Sequence, residues 1–251
     1  GRQDAILGLC WFRKDPLHFV VGSSRGLLKL CDVSRVGSSP VVREFEPFDE
    51  LTSVHVNASD QYMLASGYAF SVHIHDLQTG TLLQQYENAH TDHINISRFS
   101  NHSPSVFATS SFDATCSLWD MRQKPHKAIY TITSDGGNVM LCFSPSDSHL
   151  LTSSIDNEIS QYSTADGRLQ SKLAIERSGK RDNYTRAYYT NEGNLILSGS
   201  SEESVVRVHC AHTAKLVSSS VMYPGRKHDS LYVQSLRGDP HHPNRAAVLV
   251  N

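Results

Sequence analysis

The chain has 251 residues, of which 39% are hydrophobic and 19% charged, with a formal net charge of −2. That length allows one large all-β domain or two smaller ones. The charge balance argues against a nucleic-acid-binding domain, which carries a basic excess, and no apolar run is long enough to span a bilayer. The five cysteines, Cys10, Cys31, Cys116, Cys142 and Cys210, are odd in number and scattered, with no C-x-x-C pair. Each falls in or beside an expected strand, where a free thiol serves as a small apolar residue. This favours a reducing intracellular compartment, nuclear and/or cytoplasmic. Four N-x-S/T sequons, at Asn57, Asn95, Asn101 and Asn183, point the other way, but so short a motif is frequent by chance. The start, Gly1-Arg2-Gln3-Asp4, is neither a signal nor a transit sequence and lacks Met, so the chain is expected to be a piece of a longer protein.

Short alternating apolar runs bounded by Gly, Asp, Asn and Ser predict strands in groups of four. The first group is Ile6–Trp11, His18–Gly22, Leu27–Cys31 and Val41–Phe45. The second is Leu51–Val56, Tyr62–Ser66, Ser71–Asp76 and Leu82–Tyr86. His93–Phe99, Val106–Ser111, Thr115–Asp120 and Ala128–Thr133 form the third. A fourth runs through Val139–Ser144, His149–Ser153, Glu158–Tyr162 and Leu169–Ala174, and a fifth through Thr185–Thr190, Leu195–Ser200, Val205–His209 and Lys215–Val221. Leu231–Leu236 and Ala246–Val250 begin a sixth. Asp32, Asp76, Asp120, Ser163 and Cys210 hold matching places near the end of each third strand, spaced 44, 44, 43 and 47 residues apart. The residues just before them are Cys31, His75, Trp119, Tyr162 and His209. A period of about 40–45 residues with four strands per unit is that of a β-propeller. The expected fold is therefore all-β. Residues 1–251 would form one propeller domain, with blades at 5–48, 51–88, 90–133, 137–175 and 184–222 and part of another at 230–251. Seven blades need roughly 295 residues, and an open ring exposes strand edges; a fragment of a seven-bladed ring is expected.

Residues 107–122 read Phe-Ala-Thr-Ser-Ser-Phe-Asp-Ala-Thr-Cys-Ser-Leu-Trp-Asp-Met-Arg: a strand, a tight turn at Asp113, a second strand, then Trp119-Asp120 and Arg122. This unit resembles a WD repeat. The resemblance implies a buried hydrogen-bonded chain of His90, Thr109 or Ser111, Asp113 and Trp119, since a buried carboxylate persists only with partners. Those residues then serve structure and not catalysis. The same segment resembles the DWD box of WD-repeat substrate receptors of cullin-4 RING ubiquitin ligases, with Cys116 in place of the usual aliphatic residue and Ser117 where a basic one is common. The box implies adaptor docking through Trp119, Asp120 and Arg122, the guanidinium forking onto acceptors of the partner. The alternative is that Arg122 only braces Asp120 or a neighbouring loop, in a general scaffold of a multiprotein complex. The matching tetrapeptides His75-Asp76-Leu77-Gln78 and Tyr162-Ser163-Thr164-Ala165 bring no second Arg. Longer phrases, at 51–57, 99–107 and 232–240, resemble plant proteins that join leucine-rich repeats to a C-terminal WD-repeat domain. That resemblance implies a leucine-rich-repeat domain upstream.

Fourteen histidines include the pairs His73/His75, His209/His212 and His241/His242, but no third ligand stands at a metal-binding spacing, so no metal is expected. Two polar connections, 176–183 and 224–229, could bind an acidic or phosphorylated peptide through Lys180, Arg181, Arg226 and Lys227; solvated loops are the plainer alternative. No phosphate loop, Ser/His/Asp grouping or carboxylate pair suggests an enzyme. The expected protein is a non-enzymatic interaction platform without a cofactor. Its partners would be a ligase adaptor and an unidentified protein substrate, with no nucleic acid and no membrane.

Overall fold

Each alternating run is separated from the next by a few residues rich in Gly, Asp, Asn and Ser, so successive strands pair with their sequence neighbours. In the computed structural model, which describes residues 4–124, 127–222, 233–238 and 246–250, the result is a series of antiparallel four-stranded meanders. The first sheet contains β1 (Ile6–Trp11), β2 (His18–Ser23), β3 (Leu28–Asp32) and β4 (Val41–Glu44). The second contains β5 (Leu51–Val56), β6 (Tyr62–Gly67), β7 (Val72–Asp76) and β8 (Leu82–Tyr86). The third contains β9 (Ile94–Phe99), β10 (Val106–Ser111), β11 (Thr115–Asp120) and β12 (Tyr130–Thr133). The fourth contains β13 (Asn138–Phe143), β14 (His149–Ser154), β15 (Ile159–Ser163) and β16 (Leu169–Lys172). The fifth contains β17 (Thr185–Thr190), β18 (Leu195–Ser200), β19 (Glu203–Cys210) and β20 (Leu216–Val221). β21 (Val233–Gly238) and β22 (Ala246–Val250) pair antiparallel. Leu231 and Tyr232, which open the last expected group, lie outside the described residues, and no α-helix occurs among those described.

The sheets are blades of a β-propeller, and their registers repeat. Phe107 stands opposite Trp119, as Phe19 does opposite Cys31, Met63 opposite His75, Leu150 opposite Tyr162 and Ile196 opposite His209. β19 starts before its expected residue. Ser200 pairs with Glu203 across the two-residue turn Ser201-Glu202, and the polar Glu203 and Ser204 mask that start in the sequence.

The chain divides into two compact units, Gly1–Thr131 and Ile132–Asn251. In the first, β5 lies between β1 and β9, and both faces of the second blade are covered. Met63 and Ala65 on β6 join Val20, Leu28 and Phe48 in one core, whereas Leu64 between them joins Ile94, Phe99 and Phe107 in another. Successive strand residues face opposite ways, which explains why Met63-Leu64-Ala65 is continuously apolar. Each large side chain so buried contributes about 1.5–3 kcal/mol. In the second unit β17 packs beside β13 and β14, with Leu151, Ile159, Ala187 and Ile196 in its core.

A meander places the turns after its first and third strands at one edge. The turn after its second strand and the exit from its fourth lie at the other. In four blades the turn at this second edge has a left-handed residue at one position: Gly26 (φ +82°), Phe70 (φ +55°), Ala114 (φ +66°) and Asn157 (φ +65°). At Gly26 the requirement is absolute, because a Cβ would stand 1.5 Å from the Phe48 carbonyl oxygen. Gly26→Ala should lower the unfolding free energy by more than the roughly 1–2 kcal/mol of the left-handed penalty itself. Gly37→Ala, at φ +79° with nothing within 4 Å of its Cβ, should cost no more than that penalty. Urea denaturation of the two variants checks the difference.

Candidate functional site

The third blade holds a continuous buried polar chain. Asp113 sits in the β10–β11 turn, His90 precedes β9, Thr109 lies on β10 and Trp119 on β11. Trp119 Nε1 donates to Thr109 Oγ1 at 2.9 Å, and Thr109 Oγ1 lies 2.7 Å from His90 Nε2. His90 Nδ1 lies 3.0 Å from Asp113 Oδ2. A carboxylate only accepts, so Nδ1 carries the proton and Nε2 accepts the Thr109 hydroxyl. All donors then run in one direction, from the indole through the hydroxyl and the imidazole to the carboxylate. Asp113 also receives the Thr91 amide at Oδ2 and the Thr115 amide and hydroxyl at Oδ1. Burial alone would raise its pKa, yet the bonds from His90, Thr115 and Thr91 outweigh it and hold the carboxyl far below the usual range. Ser111 lies outside this chain: its hydroxyl donates to the Asp92 carbonyl and accepts the Asp113 amide. Cys116, beside this network, is 1% exposed, and burial followed by the Asp113 charge pushes its thiol far up.

Trp119 extends the chain toward the end of β11. Its ring meets Tyr86 edge-on at 5.5 Å, the Tyr86 hydroxyl donates to Gln84 Oε1, and Gln84 Nε2 donates to the Met121 carbonyl. β8 of the second blade thereby holds the residue just before Arg122. Asp120 Oδ1 accepts the Arg122 amide at 2.9 Å, closing the turn. The guanidinium folds back onto the same carboxylate, Nε to Oδ1 at 2.9 Å and Nη2 to Oδ2 at 2.6 Å. Hydrogen bonds from Arg122 hold the Asp120 carboxyl below its ordinary range against burial. Asp120 is 8% exposed, whereas the Arg122 side chain is 73% exposed. Asp32 and Asp76 close the corresponding turns by accepting from Ser34 and Thr79, but no Arg stands at the matching place in either.

One repeat, residues 80–120, matches the family "WD domain, G-beta repeat". The chain is a WD-repeat protein. It is 46% identical over 258 residues to "Protein DWD HYPERSENSITIVE TO UV-B 1" of Arabidopsis thaliana, an alignment covering 99% of the chain and 33% of that protein. It is 26% identical over 209 residues to "U3 small nucleolar RNA-associated protein 15 homolog" of Gallus gallus, covering 83% of the chain and 38% of the relative. To "Ribosome biogenesis protein WDR12 homolog" of Aedes aegypti it is 22% identical over 177 residues, 70% of the chain and 38% of the relative. The chain thus spans about a third of the length of these curated relatives.

The remaining candidate residues of this WD-repeat chain fall elsewhere. In the second unit Asp156 accepts the amides of Ser178 and Gly179 and so ties down the connection 176–183. Lys180 Nζ is paired with Glu202 at 2.6 Å, and Arg177 with Asp135 at 3.0 Å. Arg181 is exposed and has no hydrogen bond or ion pair among the described residues. Arg226 and Lys227 lie outside the described residues, as do His241 and His242. His75 occupies the Trp119 position of the second blade, where Ala65 and Ala69 stand in place of Thr109 and Asp113. Neither of its ring nitrogens has a hydrogen bond, it meets Phe45 edge-on, and burial, then the neighbouring His73, pushes its pKa down to about 4. No group of three His, Cys, Asp or Glu side chains suited to a metal occurs among the described residues. Of the sequons, Asn57 and Asn183 are fully buried.

Thr115, Gln84 and Tyr86 belong to the blade network without having been singled out in the sequence. Thr115 was accessible as a hydroxyl two residues after the turn Asp. Gln84 and Tyr86 act across blades, beyond any local pattern.

Thr109→Val keeps the shape of the side chain but strands the Trp119 N–H and one His90 nitrogen. A loss of roughly 1–3 kcal/mol for each stranded group is expected in denaturant titrations. Because the Asp113 pKa is depressed on folding, its stabilisation is complete above the unfolded value of about 4 and is lost as pH falls below it. Thermal midpoints measured down to acid pH should therefore fall less steeply in Asp113→Asn, which starts from a lower stability at neutral pH.

Proposed function

We propose that this WD-repeat domain is the substrate-receiving part of a cullin-4 RING ubiquitin ligase, docking the adaptor at the end of β11 through Trp119, Asp120 and Arg122. The observation that carries the reading is the exposed guanidinium of Arg122 on a rigid base. Its Nε and Nη2 are oriented by Asp120, while Nη1 has no hydrogen bond among the described residues. Trp119, buried in the blade, would contribute to docking by supporting this base from within. Electrostatics at this edge of the first unit favour an acidic partner. Asp32, Asp76 and Asp120 end the third strands at this edge, and its described connections carry Arg13, Lys14, Arg35, Arg122, Lys124 and Lys127 against Asp15 and Asp60. Both acids are engaged within the chain, Asp15 with His18 and Asp60 with the Arg13 and Lys14 amides. A relative that carries DWD in its own name and aligns over 99% of the chain supports the same reading. The domain would supply proximity and choice of target in the nucleus and/or cytoplasm, and other subunits the ubiquitin transfer.

The fork of Arg122 on Asp120 also favours a second reading, a general WD-repeat scaffold in which that pair only closes the β11–β12 turn. Pull-down with the purified adaptor separates the two. The unaltered chain should retain adaptor, and Arg122→Ala and Arg122→Lys should lose most of it, since an ammonium cannot fork. Arg122 is mostly exposed, so both variants should melt close to the unaltered chain. Retention of adaptor by folded Arg122→Ala, or none by the unaltered chain, defeats the receptor reading.

A further inference from the structure

The two edges of the first unit differ in charge. The edge away from Arg122 is built from the β2–β3, β6–β7 and β10–β11 turns and from the connections entering β5 and β9. Glu46, Asp49, Glu50, Glu87 and Asp92 are exposed there. Arg25 is the one Lys or Arg among the described residues of those segments.

Among these carboxylates stands an aromatic stack drawn from three segments. His93 is sandwiched between Tyr68, at 4.5 Å and 13°, and Phe112, at 4.4 Å and 21°. Asp92 Oδ1 accepts the His93 amide and lies 3.0 Å from its Nδ1, which fixes the tilt of the imidazole. Tyr68 has one face on His93 and is still 50% exposed; Phe70, two residues on, is 38% exposed. Phe70 also holds the left-handed turn position that Gly26, Ala114 and Asn157 fill in three other blades, a conformation unfavourable for a bulky side chain. The Tyr68 amide donates to the Glu50 carbonyl, and the His90 amide to the Phe70 carbonyl. Both acidic connections are thereby tied to the turn that bears the aromatics.

Exposed π faces on a carboxylate-rich edge suit one chemistry, a cation at the end of an apolar stem. The ring face attracts ammonium or guanidinium, the stem lies along the ring, and the carboxylates take the charged hydrogen bonds. We propose that this edge binds a Lys- or Arg-bearing peptide segment of a protein partner, with a cation over the outer face of Tyr68 and Phe70 beside it. The proposal gives the target half of the receptor reading a chemical class, and it requires neither Arg122 nor the adaptor.

Fluorescence anisotropy with a short labelled peptide alternating Arg or Lys with Ser, and with its Glu-for-cation counterpart, tests it on the whole chain. The basic peptide should bind, more weakly as salt rises, and the acidic one should not. Tyr68→Leu and Phe70→Leu keep an apolar side chain and remove the π face; each should weaken binding about 2–10-fold with thermal midpoints little changed. Glu50→Gln combined with Glu87→Gln should weaken it and flatten the salt dependence. Arg122→Ala should bind the peptide as the unaltered chain does, so failure of adaptor docking leaves this result intact. The proposal is overturned by equal binding of both peptides or by no binding at low salt. A basic-peptide affinity that neither leucine variant changes also overturns it.

Discussion

The Thr109 hydroxyl can give only one proton, and the third blade is organised around where that proton goes. By accepting from Trp119 and donating to His90, it sets the tautomer of the imidazole and, through it, directs the Nδ1 proton to Asp113. Each member of the chain is satisfied, which is the condition under which a buried polar network rigidifies a core instead of weakening it. The indole is thereby fixed in position and rotation, and Tyr86, Gln84 and the Met121 carbonyl follow from it. Arg122 projects from a base whose geometry is set by residues deep inside two blades.

The second blade shows the same architecture without the network. Ala65 and Ala69 replace the hydroxyl and the carboxylate, and His75 takes the indole position with no bond to either nitrogen. It can be kept neutral there, and the blade relies on apolar packing on both faces through Met63, Leu64 and Ala65. Propeller blades therefore tolerate loss of the polar chain as long as the register and the two buried faces are kept. What the third blade gains from its network is a defined orientation at its end.

Much of the fold was legible because period and register are local properties. The spacing of Asp32, Asp76, Asp120, Ser163 and Cys210 reappears as one pairing register in five sheets. Asp113 and His90 could be read from a repeat pattern for the same reason, whereas the choice between Thr109 and Ser111 depended on which hydroxyl faces the indole. Cross-blade partners were hidden. Gln84 reaches Met121 over 37 residues, and the Tyr68, His93 and Phe112 rings come from three separate segments whose composition marks them only as turns. The cations of 176–183 looked free in sequence because Glu202 and Asp135, which pair with Lys180 and Arg177, lie in other loops.

Cys116 gives the third blade a built-in clock. Its thiol is buried on the face of β11 opposite Trp119, and burial followed by the Asp113 charge favours the unreactive protonated form. A thiol reagent in solution needs both access and thiolate, and the closed blade supplies neither. Modification of this sulfur therefore proceeds at the frequency with which that face of the blade is uncovered, so the blade's rare excursions away from its closed form are recorded as accumulating adduct on a single atom.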